Sequence, residues 1–267
     1  MIDQDAIREG MSRDEFFLEY LPTISLTEGR CVGAEALIRW RRPTGVVSPG
    51  EFIPIAENTP LSGMLTYWVL DTVAAELGDW LRANPDVRVG INAPPEILGR
   101  GGMAYVAGKS GLAAQATQII LEVTERGLPD ILGVEAINQA GTIGTRVALD
   151  DVTFAGAANL AVLARANFSA IKLDKSLIDQ IDPEHPSPAW LETVKVLLAS
   201  SPLQVIAEGV ETEYQLGVLC ATKVQAAQGF YFSRPLPLAE FLAFHRDYGI
   251  PGRIHTAPDC APAGQCE

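Results

Sequence analysis

Seven apolar segments of the sequence each carry an acidic, amide or ammonium side chain within them or at their C-terminal end. These side chains belong to Glu35, Asn92, Glu122, Glu125, Asp150, Asp151, Lys172, Glu208 and Gln228. One such residue alone is more often a helix N-cap than a ligand, because caps that follow strands favour Asp, Asn and Ser. Its repetition at seven segments, with Glu and Lys among the types, favours a shared site.

Clustered carboxylates imply a cation, because like charges repel and an unpaired buried charge is costly. Oxygen donors without Cys or His favour Mg²⁺, Mn²⁺ or Ca²⁺ over Zn²⁺. The adjacent pair Asp150 and Asp151 indicates two metals, since neighbouring carboxylates bridge ions about 4 Å apart. Two hard cations in a carboxylate cup suit hydrolysis of a phosphodiester by an activated water. The residue types therefore predict a metal-dependent phosphoryl hydrolase.

The polar side chains lie on short apolar runs that alternate with longer helical patterns along the chain. Runs of Val, Ile, Leu and Ala without polar alternation predict parallel strands that are buried on both faces. The predicted strands are Cys31–Trp40, Val87–Asn92, Gln118–Thr124, Arg146–Asp151, Ala170–Asp174, Leu203–Glu208 and Val224–Phe230. The predicted helices are Leu61–Ala83, Ile131–Gly141, Ala157–Arg165, Pro188–Ala199, Glu211–Ala221 and Pro237–Tyr248.

Repeated strand–helix units over most of the chain define an α/β fold and leave two architectures. One is a doubly wound sheet and the other is a barrel of parallel strands surrounded by helices. In the barrel, the C-terminal ends of all strands converge on one face, where active sites are built. That geometry would bring the polar side chains of all seven segments together.

Length and charge set limits on function. The chain has 267 residues, of which 48% are hydrophobic, and a net charge of −13, the balance of a globular protein. The acidic balance argues against electrostatic binding to nucleic-acid polymers or to anionic membranes. No apolar run approaches the ~18 residues that a membrane span needs, and the N-terminus lacks a signal-peptide pattern. A cytoplasmic protein is predicted.

Histidines and cysteines offer no alternative active site. The three histidines are scattered and end no strand-like run, which removes the common His-based hydrolase chemistries. Cys31 and Cys220 are predicted to be buried free thiols. The other two cysteines lie in a tail rich in Pro, Ala and Gly, at the wrong spacing for zinc. We predict one domain over residues 1–250 and a disordered tail over residues 251–267.

Ten short motifs occur in a fixed order along the chain. They are Gly33–Trp40, Pro49–Glu57, Trp68–Leu70, Asn92, Leu121–Glu125, Ala148–Asp151, Ile171–Asp174, Ala207–Glu213, Gln228–Gly229 and Ser233–Pro237. Together they resemble the EAL domain, the bacterial phosphodiesterase domain for cyclic di-GMP. The resemblance extends from about Glu15 to Asp247, which covers most of the chain.

The resemblance implies a modified TIM-type (β/α)8 barrel that opens cyclic di-GMP to linear pGpG. It implies two Mg²⁺ or Mn²⁺ ions as cofactors, with Ca²⁺ as an inhibitor. Cyclic di-GMP is then the expected partner, and a homodimer is compatible with the family pattern. No nucleic-acid polymer and no membrane are expected as partners.

The resemblance also assigns metal ligands by motif position. Glu35, Asn92, Glu122 and Asp150 would hold the first metal. Asp150 and Asp151 would hold the second.

Four residues carry implied catalytic roles. Glu35 belongs to the catalytic set as a metal ligand, and Glu208 is the better candidate for general base. Gln228 and Glu208 would support the second metal or its water. Lys172 would steady the attacking water or the developing phosphate charge.

The remaining assignments concern substrate binding and support. Arg39 would contact a substrate phosphate, for which a guanidinium fork is suited, and Leu37 would line the substrate pocket. Glu125 and Glu211 would hold the metal site and the loop after Asp151.

The chain departs from the family pattern after Asp151. Active members continue with Phe-Gly-Thr-Gly, whereas here the segment is Val152–Asn159, one residue longer before Lys172. Because glycine allows positive φ and tight loops, its loss implies a different backbone path. Smaller departures are Leu21, where Gln is frequent, and Pro94, where Ser is frequent.

These departures leave a second hypothesis open beside the phosphodiesterase. A non-catalytic receptor would bind the dinucleotide through the same residues and signal to a partner protein. A protein-interaction module without dinucleotide binding is the third hypothesis.

Overall fold

A computed structural model of the chain describes residues 2–124, 130–154 and 166–248. The strands are β1 (Phe16–Ser25), β2 (Arg30–Arg42), β3 (Gly45–Val47), β4 (Arg88–Asn92), β5 (Ile119–Thr124), β6 (Arg146–Val152), β7 (Ala170–Leu173), β8 (Gln204–Ala207) and β9 (Ala226–Ala227). The helices are α1 (Gln4–Ser12), α2 (Pro49–Ala56), α3 (Pro60–Ala83), α4 (Gly102–Ser110), α5 (Ile131–Ala140), α6 (Lys175–Ile178), α7 (Trp190–Ser200), α8 (Glu213–Ala221) and α9 (Leu238–Asp247). Short 3₁₀ segments span Pro95–Ile97, Leu112–Gln118 and Gly141–Ile143.

Eight of the strands close into a barrel. The sheet order is β1-β9-β8-β7-β6-β5-β4-β2, and β1 pairs with β2 to close the ring, while β3 extends β2 as a hairpin. The strands β2 and β4 to β9 run parallel to one another, whereas β1 is antiparallel to both of its neighbours. This confirms the predicted modified (β/α)8 barrel over the doubly wound sheet.

The antiparallel strand β1 is absent from the sequence prediction. Its sequence contains Pro22, and proline inside a run argues against a strand because it lacks an N–H for the ladder. In the structure Pro22 faces Ala34 in a ladder with β2 that runs from Phe16 to Ser25. An aromatic stack of Phe16 on Trp40 at 5.1 Å between ring centroids stabilises the pair.

The last strand is shorter than the sequence predicts. A strand was expected over Val224–Phe230, but β9 covers only Ala226–Ala227. Gly229 has φ of +149°, and a Cβ at this position would overlap the backbone of Val210. The chain therefore leaves the sheet at this close approach, where only glycine fits.

Side chains inside the barrel form levels, because successive residues of a strand point to opposite faces. One level is an apolar layer of five buried residues, Ile120, Ala148, Ala170, Ile206 and Ala226. Two residues further along the strands come Glu122, Asp150, Lys172, Glu208 and Gln228. The barrel thus carries a polar level at the C-terminal ends of its strands, with an apolar layer beneath it.

The longest helix, α3, illustrates how sequence fixes the helices that cover the barrel. Thr59 caps it by accepting a hydrogen bond from the N–H of Leu61, and Pro60 occupies its first turn. Buried residues recur every three or four positions, from Leu61 through Leu65 and Val69 to Leu81. This face packs on the outside of the barrel and holds the strands in place.

Other sequence-based expectations have mixed outcomes. Cys31 is a buried free thiol, as predicted. Cys220 is only half buried and is disulfide-bonded, so the prediction of a free thiol was wrong for this residue. The predicted helix Ala157–Arg165 and the tail 251–267 lie outside the described residues. Within the described residues, no helix combines the length and the hydropathy that crossing a bilayer requires.

Candidate functional site

A single buried ammonium group lies among four carboxylates at the C-terminal end of the barrel. Lys172 Nζ is 2.5 Å from Glu208 Oε1, 2.8 Å from Glu122 Oε2, 3.0 Å from Glu35 Oε2 and 3.3 Å from Asp150 Oδ1. The lysine side chain is 1% exposed, so these charges interact in a medium that screens them weakly. We call these five residues, with Asn92 and Gln228, the cup.

The cup is assembled from one residue of each consecutive barrel strand. Glu35, Asn92, Glu122, Asp150 and Lys172 lie on β2, β4, β5, β6 and β7. Glu208 and Gln228 directly follow β8 and β9. Because parallel strands end at the same edge, seven separate segments deliver seven side chains to one place.

Two local features set the position of the acids on β2 and β5. Asn92 Nδ2 donates to Glu35 Oε1 at 2.9 Å, and this hydrogen bond orients the Glu35 carboxylate. The bond uses the amide nitrogen of Asn92 and not its amide oxygen. Gly90 on β4 faces Glu122, and a Cβ at position 90 would overlap the Glu122 carboxylate. Glycine at this position therefore makes the room that Glu122 occupies.

The ionisation of the cup reflects burial and the excess of negative charge. Burial acts against the ammonium of Lys172, but the surrounding carboxylates outweigh it and hold its pKa well above the usual range. Burial first, then neighbouring acids, raises the pKa of Glu122 and Asp150, and raises the pKa of Glu208 to about 8. Of the four carboxyls of the cup, Glu35 alone has a lowered pKa: burial acts to raise it, but Lys172 and Asn92 together outweigh that effect.

The donor set fits hard divalent cations. Asp150, Asp151 and Glu208 each offer a carboxylate oxygen, and these atoms lie within 4.8 Å of one another. Gln228 is 2% exposed, and its Oε1 is buried without a hydrogen-bond partner. Four carboxylates surround the one ammonium, so the cup holds more negative charge than Lys172 balances. Oxygen donors in this arrangement suit a hard divalent cation.

The amide of Gln228 is oriented by a threonine of the antiparallel strand. Gln228 Nε2 donates to Thr23 Oγ1 at 2.8 Å, across the junction between β9 and β1. This bond directs Nε2 toward β1 and leaves Oε1 as an acceptor without a partner. Thr23 therefore fixes which end of the amide remains available to a cation or a water.

The backbone after Asp150 is unusual. Asp151 has φ of +57° and Phe154 has φ of +57°, a region that residues other than glycine rarely adopt. The N–H of Asp151 donates to Asp150 Oδ1 at 3.0 Å, and the register between β6 and β7 shifts between Leu149 and Val152. The altered segment Val152–Asn159 is described only as far as Phe154, and Glu125 also lies outside the described residues.

A cavity of about 560 Å³ opens beside the cup. Its described lining includes Leu37 and a wall of apolar residues that contains Ile53, Pro54, Pro94 and Pro95. Glu35, Asn92, Glu122, Asp150, Asp151 and Glu208 also line it. The cavity therefore gives a ligand access to the acids while offering a largely apolar surface for its remainder.

Arg39 does not line this cavity. Its Nε donates to Glu19 Oε2 at 2.8 Å, and the two side chains are 15% and 25% exposed. Glu19 lies on β1 opposite Leu37, so the ion pair crosses the β1–β2 ladder. A phosphate that binds Arg39 would share the guanidinium with Glu19.

Glu211 contacts the site indirectly. Its carboxylate accepts from Lys175 Nζ at 2.8 Å, and about half of its side chain is exposed. The stem of Lys175 packs against Gly209, the residue after Glu208. Through Lys175, Glu211 therefore touches the segment that carries Glu208 rather than the cup itself.

Sequence reasoning did not identify Thr23 or Glu19 as site residues. Both lie on β1, alternate with the buried residues Tyr20 and Leu18, and face the barrel interior. The apolar residues Phe16, Leu18 and Tyr20 at alternate positions were the available signal in the sequence, and Pro22 hid it.

The barrel and the cup define a class of protein. It is a (β/α)8 barrel with one antiparallel strand and a carboxylate-rich site at the C-terminal ends of the strands. Residues 4–235 match the EAL domain, and the chain belongs to the EAL domain family.

Relatives and solved structures agree with this assignment. The chain is 32% identical over 240 residues to the "Probable cyclic di-GMP phosphodiesterase PdeB" of Escherichia coli, covering 88% of this chain and 46% of PdeB. It is 32% identical over 263 residues to the "Cyclic di-GMP phosphodiesterase NbdA" of Pseudomonas aeruginosa, and the match covers 96% of this chain and 33% of NbdA. The EAL enzyme Bd1971, solved with cAMP and cyclic di-GMP bound, superposes with a TM-score of 0.81 at 29% identity. The superposition covers 90% of this chain and 67% of the Bd1971 chain.

The chain spans less than half the length of these two curated relatives. Their remaining parts have no counterpart in the alignment. The similarity therefore concerns the barrel domain that the chain shares with them.

Proposed function

We propose that the chain hydrolyses cyclic di-GMP to linear pGpG at the cup. The observation that carries the proposal is the surplus of carboxylates around Lys172, combined with membership of the EAL family. Relatives named as cyclic di-GMP phosphodiesterases make this substrate the first to test.

Two divalent cations, Mg²⁺ or Mn²⁺, would supply Lewis acidity to the phosphate and lower the pKa of a water. Glu35, Asn92, Glu122 and Asp150 would hold one ion. Asp150 and Asp151 would hold the other, and Glu208 and Gln228 would support it.

Glu208 is the candidate general base. Of the four carboxylates around Lys172 it is the most exposed, with 21% of its side chain accessible against 9% or less for the others. It lines the cavity, so its oxygen can receive a proton from a water on the substrate side. Lys172, buried beneath, would keep the acids together and offset negative charge that develops on the phosphate.

The cavity gives the substrate its orientation. Its apolar wall, with Leu37, Pro94 and Pro95, offers a surface for a planar purine base, while the acids at its inner end face the phosphodiester. Arg39 lies outside the cavity lining, so it would contact a phosphate oxygen from beside the cavity, with the N–H groups that neither Glu19 nor the carbonyl of Ile38 uses.

The deciding experiment mixes purified protein with cyclic di-GMP and Mg²⁺, then Mn²⁺, and separates the products by chromatography. We expect pGpG, and we expect excess Ca²⁺ or a chelator to suppress it. Intact substrate under both metals would refute the phosphodiesterase.

A matched pair of variants tests the site assignment. Glu35→Ala should reduce turnover by about a thousandfold or more, because it removes a carboxylate that contacts Lys172 and Asn92. Glu240→Ala removes the same charge from an exposed position on α9 and should leave turnover unchanged. Unchanged hydrolysis in Glu35→Ala would show that the metal site is assigned wrongly.

A non-catalytic receptor for cyclic di-GMP is the second candidate. The observation in its favour is the altered segment after Asp151, of which Val152–Phe154 is described. Saturable binding by calorimetry without any product would favour the receptor. If neither binding nor product were detected, the protein-interaction module would be the remaining hypothesis.

A further inference from the structure

Arginines gather at the end of the barrel opposite to the cup. Arg30, Arg88 and Arg146 are the first residues of β2, β4 and β6, and Gln204 is the first residue of β8. We call the three arginines the arginine ring. Because these strands run parallel, their first residues lie together at the N-terminal mouth of the barrel.

Strand alternation turns the side chains of Arg88 and Arg146 inward. Arg88 lies two residues before Gly90, which faces Glu122 inside the barrel. Arg146 lies two residues before Ala148, a member of the apolar layer. Since residues i and i+2 of a strand share a face, both arginines point to the interior of the mouth.

The ring has fewer anionic partners than its charge requires. In the described part of the chain, no ion pair is formed by Arg88 or Arg146, and Arg88 Nε is buried without a hydrogen-bond partner. Arg146 Nη1 donates at 3.3 Å to Gln204 Oε1, a neutral group. Arg30 is paired with Glu28 at 2.5 Å. Unpaired basic residues are unexpected in a chain with 33 acidic and 20 basic side chains.

The guanidinium groups also repel one another. Burial lowers the pKa of Arg88 from its ordinary value, the positive charges of Arg146 and Arg30 lower it further, and Asp86 and Glu28 offset part of this. Like charges held at one mouth raise the free energy of the empty site, and an anion that binds there relieves the repulsion.

We propose that the arginine ring binds a small phosphate-bearing anion at the N-terminal mouth of the barrel. Guanidinium forks match the oxygens of a phosphate, and in the described part of the chain neither Arg88 nor Arg146 forms a direct ion pair, although Asp86 and Glu28 offset part of the charge of Arg88. A small anion fits better than a polyanion or a membrane surface, because the chain as a whole carries a charge of −13.

The site is independent of the cup. The five apolar residues Ile120, Ala148, Ala170, Ile206 and Ala226 lie between the two along their strands. The proposal therefore does not rest on the phosphodiesterase, and either can fail alone.

The test uses metal-free protein in EDTA, where the acidic cup repels anions. Inorganic pyrophosphate is titrated into the wild-type chain and followed by calorimetry, with sodium chloride of equal ionic strength as the blank. We expect saturable binding that weakens about tenfold in Arg88→Gln and in Arg146→Gln, the loss of one charged hydrogen-bond donor. The matched variant Arg8→Gln removes an exposed arginine from α1 and should bind as the wild type does.

Several outcomes would overturn the proposal. No saturable heat in the wild type would do so, as would equal weakening in Arg8→Gln. Circular-dichroism melts show whether each variant is folded. If Arg88→Gln is unfolded, the binding of pyrophosphate to Arg146→Gln decides whether the proposal stands. Vesicles with phosphatidylglycerol test a lipid headgroup as the source of the phosphate. Their cosedimentation with wild type but not with Arg146→Gln would overturn the assignment to a free anion.

Discussion

Glu208, Glu122 and Asp150 each keep a buried carboxylate beside others of the same charge, and Lys172 balances only one of them. In the absence of a cation the fold therefore stores unfavourable electrostatic free energy at the place where a cation would bind. Under the proposed function, stability and metal affinity would therefore be opposed at these residues, as they commonly are at functional sites.

Glu208→Gln should stabilise the metal-free protein. Glutamine keeps the shape and removes one surplus negative charge, while Lys172 retains three carboxylate partners. We expect the midpoint of thermal unfolding in EDTA at pH 8 to rise, by about 2–4 °C for each kcal/mol gained. Glu211→Gln, an exposed glutamate on the same segment, serves as the control and should change the midpoint little.

The effect should depend on pH in a definite direction. The pKa of Glu208 is about 8 in the fold, above the ordinary value of an unfolded glutamate. The folded chain therefore holds a proton that the unfolded chain has lost, and its stability falls as pH rises from about 4.5 through 8. The gain from Glu208→Gln should be larger at pH 8 than at pH 6, and an equal gain at both would contradict this account.

Thr23→Val should weaken the site without weakening the fold. Valine preserves the shape but cannot accept from Gln228 Nε2, so the amide loses its fixed orientation. We expect Mn²⁺ affinity, measured by calorimetry, to fall about tenfold, the cost of one lost hydrogen bond to a metal-supporting group. Thr23→Ser keeps the hydroxyl and should restore affinity, whereas equal loss in both variants would assign Thr23 a packing role only.

At the scale of elements, the parallel strands could be predicted because each is a run of apolar residues bounded by helical patterns. Their polar ends converge for a geometric reason that needs no knowledge of loops, so the positions of Glu35, Asp150 and Lys172 followed from the strand assignment. The roles of these residues remain proposals.

The strand β1 could not be predicted in the same way. Pro22 argues against a strand locally, and only the long ladder with β2 outweighs that preference. Because β1 was missed, so were the two contacts that it makes with the site, Thr23 with Gln228 and Glu19 with Arg39. Register between distant strands is a property of the closed barrel and is not readable from either segment alone.

Gly90→Ala should disturb the junction of β4 and β5 at the site. The added Cβ overlaps the Glu122 carboxylate, which must then move away from Lys172. We expect hydrolysis of cyclic di-GMP to fall at least about tenfold. Because overpacking destabilises, the free energy of unfolding should also fall, by about 1–3 kcal/mol. Gly217→Ala adds the same group on α8, where no atom lies within 4 Å, and should leave activity unchanged.

At the scale of the whole molecule, the charge imbalance of the cup predicts a large response of stability to metal. At a concentration 100 times its dissociation constant, a bound ion adds about 2.7 kcal/mol to the free energy of unfolding. We expect Mg²⁺ or Mn²⁺ to raise the unfolding midpoint by about 5–10 °C, measured by scanning calorimetry against sodium chloride of equal ionic strength. The same rise in Glu35→Ala would show that the ions act elsewhere on the surface.

The closure of the barrel has a consequence for synthesis on the ribosome. The strands β1 and β9 share only the pairs Ile24–Ala227 and Ser25–Ala226, with a bridge from Tyr20 to Leu236 nearby. The partners Thr23 and Gln228 are 205 positions apart, so they meet only after nearly the whole domain has emerged. Until then the ring of strands cannot close, because β9 and Gln228 have not been synthesised, and the carboxylates of β2, β5 and β6 lack the wall that β9 supplies.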